Sequence, residues 1–291
     1  VQKKAVQLTF HRCDGSTWQK TTLAKGSSYS LPGVRDAEGY TFMGWSTKPM
    51  QSVPPQYEAE EKITVNGNVD LYAVVFNRTT ETDLTEDQLP QVDIYKYKQV
   101  IFVGDSRTEF MENVLTGMGE SATKNVKFVC SAGKGLDWFT TTGWAQLYSI
   151  VQHDSNSILS KKTAVIFNFG VNDLSKSADY AEYYNWIAPQ LKSKGCELYF
   201  MSVNPVNRLM LPNAGRADRS EAAVRSFNQY MKANLSSAYT YIDMYSYLKS
   251  TGYSFASDHY GTGTVDDGLH YTTRTYKRIF AKCMDSLRVP A

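Results

Sequence analysis

A chain of 291 residues with 42% hydrophobic positions has the length for one large domain or two unequal ones, and for an ample buried core. Its 31 Lys and Arg against 29 Asp and Glu give a net charge of +2, which leaves no basic stripe of the kind a nucleic-acid binder carries. No run approaches the roughly 20 apolar residues of a membrane-spanning helix. The four cysteines (Cys13, Cys130, Cys196, Cys283) form no C-x-x-C pair, which excludes zinc-ribbon and thioredoxin readings and leaves the redox compartment open. Val1 follows no charged-then-apolar leader, so the start of the chain carries little weight about location.

In residues 1–78 every signal is β. Val6, Leu8 and Phe10 alternate with Gln7 and Thr9, as in a strand buried on one face. Tyr40-Thr41-Phe42 follows Gly39, and Val69 to Phe76 is a further β-rich run. Turn residues punctuate these at Asp14-Gly15, Pro32-Gly33, Pro54-Pro55 and Asn66-Gly67. A small β-rich module is predicted. Residues 79–97 carry Glu81, Asp83, Glu86, Asp87 and Asp93 against Lys96 alone, with several Thr and one Pro. Like charge and few apolar residues predict an extended acidic linker and a domain boundary.

From residue 98 to 291 strands and helices alternate. Val100 to Val103, Val126 to Cys130, Ala164 to Phe169, Glu197 to Val203 and Thr240 to Ile242 read as buried strands. Helical spacing connects Tyr180, Tyr184, Ile187 and Leu191, then Val224, Phe227, Met231 and Leu235, and last Tyr276, Ile279 or Phe280, Cys283 and Leu287. Pro189 weakens the last turn of the first of these helices. Five strands alternating with helices predict a parallel sheet covered on both faces, with ligands beyond the carboxyl ends of its strands.

Polar residues stand at those ends. The first strand runs into Gly104-Asp105-Ser106-Arg107, which would place Ser106 at a helix start, where N–H groups favour a developing anion. Ser and Asp are also ordinary helix caps. Strand two ends in Cys130-Ser131-Ala132-Gly133-Lys134-Gly135, whose glycines admit close approach of a backbone N–H to a ligand; it lacks the third Gly of a dinucleotide fingerprint. Strand three ends in Gly170-Val171-Asn172-Asp173, where Asn172 supplies an amide donor suited to an oxyanion, or a cap. Near the C-terminus stands Asp266-Asp267-Gly268-Leu269-His270. Among His11, His153, His259 and His270, only His270 has a carboxylate three residues earlier across a Gly; His259 beside Asp258 is the rival pair.

Gly104-Asp105-Ser106, the Gly133/Gly135 turn, Gly170-x-Asn172-Asp173 and Asp267-x-x-His270, in that order, resemble the four blocks of the SGNH (GDSL) hydrolase superfamily over about residues 98–291. The resemblance implies an α/β fold, a flavodoxin-like three-layer α/β/α sandwich on a five-stranded parallel sheet of order 2-1-3-4-5. It implies Ser106 as nucleophile, His270 as general base and Asp267 as its orienting carboxylate. The oxyanion donors would be the N–H groups of Ser106 and a block-two glycine, Gly135 rather than Gly133 by its distance from the strand, with the Asn172 side chain. The usual block-two Asn is absent, Cys130 or Ser131 standing near its place. No metal or cofactor is implied. An α/β-hydrolase would need a G-x-S-x-G elbow, and Ser106 is followed by Arg107-Thr108.

Val6–Phe10, Gly39-Tyr40-Thr41-Phe42-x-Gly44-Trp45 and Asp70-Leu71-Tyr72-Ala73 resemble the Listeria–Bacteroides repeat, a β-grasp-like module of bacterial surface proteins, over about residues 5–76. This implies an extracellular or surface protein associated with the wall through residues 1–78. The expected activity is hydrolysis of short-chain acyl esters, acetyl above all, on a carbohydrate or cell-wall polymer. A glycan-binding module with little turnover and an acyltransferase built on the same residues are the alternatives. Asn204-Pro205-Val206-Asn207-Arg208 and Gly252–Gly263 are candidate substrate walls, with surface loops the default reading.

Overall fold

The computed structural model describes residues 4–154, 162–211, 219–257 and 266–288. Its contacts divide the chain into two compact units, one of Val1–Glu81, Pro205–Ala222 and Ser246–Leu269, the other of Thr82–Asn204, Ala223–Tyr245 and His270–Ala291.

The first unit opens with six strands: β1 (Ala5–His11), β2 (Thr17–Ala24), β3 (Ser27–Ser30), β4 (Tyr40–Ser46), β5 (Lys62–Val65) and β6 (Val69–Asn77). They form a four-stranded sheet of order β2-β1-β6-β4 and a separate β3-β5 pair. Only β1 and β6 run parallel within the larger sheet. Val6, Leu8 and Phe10 of β1 turn inward as their alternation requires, and pack with Leu31, Trp45, Val65 and Leu71. Phe10 meets Trp45 edge-on at 4.8 Å. The register of β4 against β6 shifts at Phe42/Gly44. Gly44 sits there at φ +144°, and a Cβ would run into the carbonyl of Tyr57 and the ring of Pro55. The Gly-Trp pair thus marks a bulge that re-aims Trp45, whose indole N–H donates to the Pro32 carbonyl at 2.9 Å.

The described parts of residues 205–222 and 246–269 make polar contacts within the same unit. Lys249, only 4% exposed, donates to the Met43 carbonyl at 2.6 Å and pairs with Glu58 at 2.7 Å and Glu221 at 2.9 Å. Burial alone would lower the pKa of this ammonium; the two carboxylates outweigh it and hold the pKa above the ordinary value. Ser254 donates to Glu81 at 2.6 Å, and Arg208 pairs with Glu60 at 3.2 Å. Gly252, at φ +79°, leaves room for the Phe76 ring.

The acidic segment after the strands holds two short 3-10 turns, Arg78–Thr80 and Glu86–Gln88, the second opened by a Thr85/Gln88 capping box. Leu89 and Val92 of this segment are buried.

The second unit is a parallel sheet of β7 (Tyr97–Gly104), β8 (Val126–Cys130), β9 (Lys162–Asn168), β10 (Cys196–Met201) and β11 (Tyr239–Ile242), ordered β8-β7-β9-β10-β11. Counted along the chain this is the 2-1-3-4-5 order. Val100 to Val103 and Ala164 to Phe167 are 1% exposed or less, the continuous burial of strands covered on both faces. The helices are α1 (Ser106–Met118), α2 (Leu136–Trp138), α3 (Trp144–Asp154), α4 (Ser177–Ser193), α5 (Glu221–Asn234), α6 (Met244–Thr251) and α7 (Thr273–Ser286), with a π turn at Phe139–Gly143 between α2 and α3. The apolar stripes of α4 and α7 are buried throughout, as are Val224, Phe227 and Met231 of α5. Despite Pro189, α4 runs on to Ser193. Of these elements, α6 from Ser246 belongs to the first unit, as does the last pair of strands, β12 (Phe255–Ser257) and β13 (Asp266–Tyr271), as far as Leu269; β13 leads into α7. Among the described residues no helix is long and apolar enough to cross a membrane.

Candidate active site

The turn from β7 into α1 is fixed by local sequence. A Cβ at Gly104 would collide with the Thr108 hydroxyl and approach the Asn168 carbonyl at 2.8 Å, so only glycine lets the chain leave the sheet here. Asp105 caps α1, its carboxylate accepting the Arg107 N–H at 3.0 Å. Ser106 is therefore the first helical residue, 6% exposed, and its Oγ lies 2.8 Å from His270 Nε2. With the ring protonated on Nδ1, Nε2 accepts the hydroxyl proton. One turn along α1, Phe110 sets its ring edge-on to the imidazole at 4.8 Å. Arg107 is buried, donates to the Asn204 carbonyl at 3.0 Å and lies 5.3 Å from the Tyr271 ring centre.

The loop after β8 is tied back to α1. Glu109 accepts the Ala132 N–H at 2.6 Å, and Glu112 accepts the Cys130 thiol at 3.3 Å. Burial, with the Glu112 carboxylate, pushes that thiol far above its usual range, so it stays protonated and inert. Gly135 caps α2, and a Cβ there would strike the Asp173 carboxylate. Asp173 accepts the Leu136 N–H at 2.9 Å and the Tyr180 hydroxyl at 2.7 Å. Burial raises its pKa against the pull of those two bonds. Asn172 donates from Nδ2 to the Lys134 carbonyl at 2.7 Å, which seats the amide beside the same loop. Neither the Ser106 N–H nor the Gly135 N–H meets a protein acceptor among the described residues.

Ser106 and His270 are thus in contact, and Gly135 and Asn172 share one loop junction. Asp267 lies on β13 with His270, is 5% exposed and accepts the Leu269 N–H at 2.8 Å. Strict alternation would turn residues 267 and 270 to opposite faces; Gly268, at φ +68°, interrupts it. Asp258, His259 and the far end of the 252–263 stretch lie outside the described residues, as does the His153 side chain. His11 is committed to Asp70 at 2.9 Å and stacks on Tyr72. Sequence reasoning missed the supports, Glu109 beneath the block-two loop and Tyr180 beneath Asp173. Tyr180 was visible only as a member of an apolar stripe. Of the candidate substrate walls, Asn207 turns both amide N–H groups to Val34 and Asp36, each at 3.0 Å.

Residues 100–283 match the family model described as GDSL-like lipase/acylhydrolase, and residues 7–74 match the Listeria-Bacteroides repeat domain. Solved structures are similar at low identity. A Bacteroides fragilis protein assigned as an acylhydrolase is 16% identical over 69% of this chain and 93% of that one, with a TM-score of 0.45. An acetyl xylan esterase is 12% identical over 66% of this chain and 100% of its own, with a TM-score of 0.43. The C-terminal catalytic domain of Streptococcus pneumoniae peptidoglycan O-acetyltransferase A is 16% identical over 66% and 92%, with a TM-score of 0.40. No curated protein sequence matches the chain.

Proposed function

Because the chain belongs to the family of GDSL-like lipases and acylhydrolases, we propose that it is a serine esterase releasing short acyl groups, acetyl foremost, from a carbohydrate or cell-wall polymer at a bacterial surface. The observation that carries this reading is the 2.8 Å contact between Ser106 Oγ and His270 Nε2, buried at the start of α1. His270 takes the hydroxyl proton as Oγ attacks the ester carbonyl, then returns it to the departing alcohol. Water, deprotonated by the same imidazole, attacks the acyl-enzyme carbonyl and releases the acid, which regenerates Ser106. Asp267 holds the imidazole in the tautomer with its proton on Nδ1 and favours the charged form. The N–H groups of Ser106 and Gly135, which meet no acceptor among the described residues, and the amide of Asn172 converge on the developing oxyanion.

The repeat match at residues 7–74 supports a surface setting. The same module holds a cleft of about 200 Å³ lined by Trp18, Tyr40, Phe42 and Trp45, with Arg12 and Arg35 at its edge. Trp18 and Tyr40 stay 39% and 43% exposed, as rings that stack on sugar faces do. In the proposed reading this cleft holds the enzyme on its polymer. Transfer of the acyl group to another hydroxyl instead of water uses the same residues.

The test is a panel of aryl esters of rising chain length and acetylated glycans, given to the wild type and to Ser106→Ala, with fluorophosphonate labelling of Ser106 in parallel. Acetate release by the wild type alone is the expected result. Release of long-chain fatty acids only would overturn the substrate class. A wild-type rate in Ser106→Ala, or no labelling of Ser106, would overturn the nucleophile. Capture of the acyl group by added sugar in preference to water would make the protein a transferase.

A further inference from the structure

We infer that Asn207 is a positioning residue through which the N-terminal β module holds the backbone between Asp267 and His270 in its working conformation. The inference rests on the roles proposed for those two residues.

Asn207 has no spare polar atom. Its Nδ2 divides two hydrogen bonds between the Val34 carbonyl and Asp36 Oδ1, 173 and 171 residues away and both at 3.0 Å. Its Oδ1 accepts the Leu209 N–H at 3.2 Å, capping a 3-10 turn over Arg208–Met210. Its own N–H donates to the Gly268 carbonyl at 2.8 Å, and its carbonyl accepts the Met210 N–H at 2.9 Å. Asp36 is fixed in turn by the Phe42 N–H at 3.0 Å and by Arg78 at 2.7 Å. The side chain of Asn207 thus reads the module, and its backbone reads the catalytic strand.

Gly268 is the point of transmission. It lies at φ +68°, where L side chains are strained, and a Cβ would run into the Asn207 carbonyl and the Met210 side chain. A glycine can leave that region at little cost; within the strand the Asp267 carboxylate spans Gly268 to the Leu269 N–H at 2.8 Å, and from outside it the backbone of Asn207 and the Met210 side chain back the turn. A drift in this one dihedral re-aims Asp267 relative to His270. Misplacement of reacting groups by about 1 Å can cost a hundredfold in rate.

Asn207→Ala in the full chain removes the two donations to the module together with the cap on the Leu209 N–H, and leaves the backbone contacts to Gly268 and Met210 in place. The expected result is a kcat for aryl acetate about 10- to 100-fold lower, KM within about twofold because uniform binding is untouched, and fluorophosphonate labelling of Ser106 slowed in parallel. Asp36→Ala should give a similar loss, and the double variant no more than the larger single loss, since both act on one connection. Unchanged kcat and labelling rate in folded Asn207→Ala would overturn the proposal. So would a raised KM at unchanged kcat, which is the signature of a substrate wall. Should Asn207→Ala fail to fold, Asn207→Ser, whose shorter side chain keeps the local cap on the Leu209 N–H but gives up the donations to Val34 and Asp36, carries the same criteria. Failure of the functional reading shows separately, as turnover retained in Ser106→Ala.

Discussion

Ser106 and His270 touch, yet they are held by opposite means. What places Ser106 lies within a few residues of it: Gly104, the cap at Asp105 and Thr108, with the Asn168 carbonyl of the neighbouring strand. In the strand that carries His270, Gly268 at φ +68° is backed by Asn207 and Met210, some 60 residues earlier, and Asn207 in turn donates to Val34 and Asp36. Ser106, on a strand-to-helix turn, is placed by local structure. The turn at Gly268, two residues before His270, is backed by contacts from far along the chain.

Variants can break that contrast. Ser106→Ala should have the largest effect, a loss of about 10⁴- to 10⁶-fold in aryl ester turnover, with the circular-dichroism melt unchanged. Lys249→Ala comes next. It leaves the buried Glu221 and the half-buried Glu58 without their shared cation and should cost about 3–5 kcal/mol in denaturant unfolding. Asn172→Ala should lower kcat about 100- to 1000-fold with KM little changed, measured under saturating ester; an equal rise in KM would show that the amide binds ground state and transition state alike.

The smallest effect is one of pH. Burial pushes the Asp36 carboxyl from 3.8 up to about 6, in spite of Phe42, Arg78 and Asn207. Its protonated form is favoured by folding, so its contribution is fully present below pH 4 and is lost as pH rises through 6, by about 3 kcal/mol at most. The stability difference between wild type and Asp36→Asn should therefore change across that window and be flat above about pH 7.

The five central strands were legible because strands buried on both faces show as unbroken apolar runs, and β8 was read to the residue. The Ser106–His270 pair, in contact at 2.8 Å, and Asn172 beside the Lys134 carbonyl could be singled out because their blocks are short and local. By contrast β2 (Thr17–Ala24) was not seen: it is largely exposed and polar, and its apolar contacts with the core are few, Trp18 edge-on to Phe10 and Leu23 against the inner face of β1. The Lys249 cluster was equally hidden, since a lysine and two glutamates far apart in a sequence read as surface charge until tertiary structure buries them. Leu89 and Val92 were masked by their acidic neighbours. Asn207 read as a loop residue because its partners lie more than 170 positions away.

The discontinuous make-up of the first unit bears on how the chain is made. About 120 residues separate Glu81 from Pro205, which at the usual pace of translation is roughly 6–25 s. Through that interval the nascent module can pair its β strands, while Glu58, Glu60 and Glu81 face water in place of Lys249, Arg208 and Ser254. A gene fragment cut after residue 81 would leave the same three carboxylates hydrated for good, its own sequence holding none of the later partners that meet them in the complete chain.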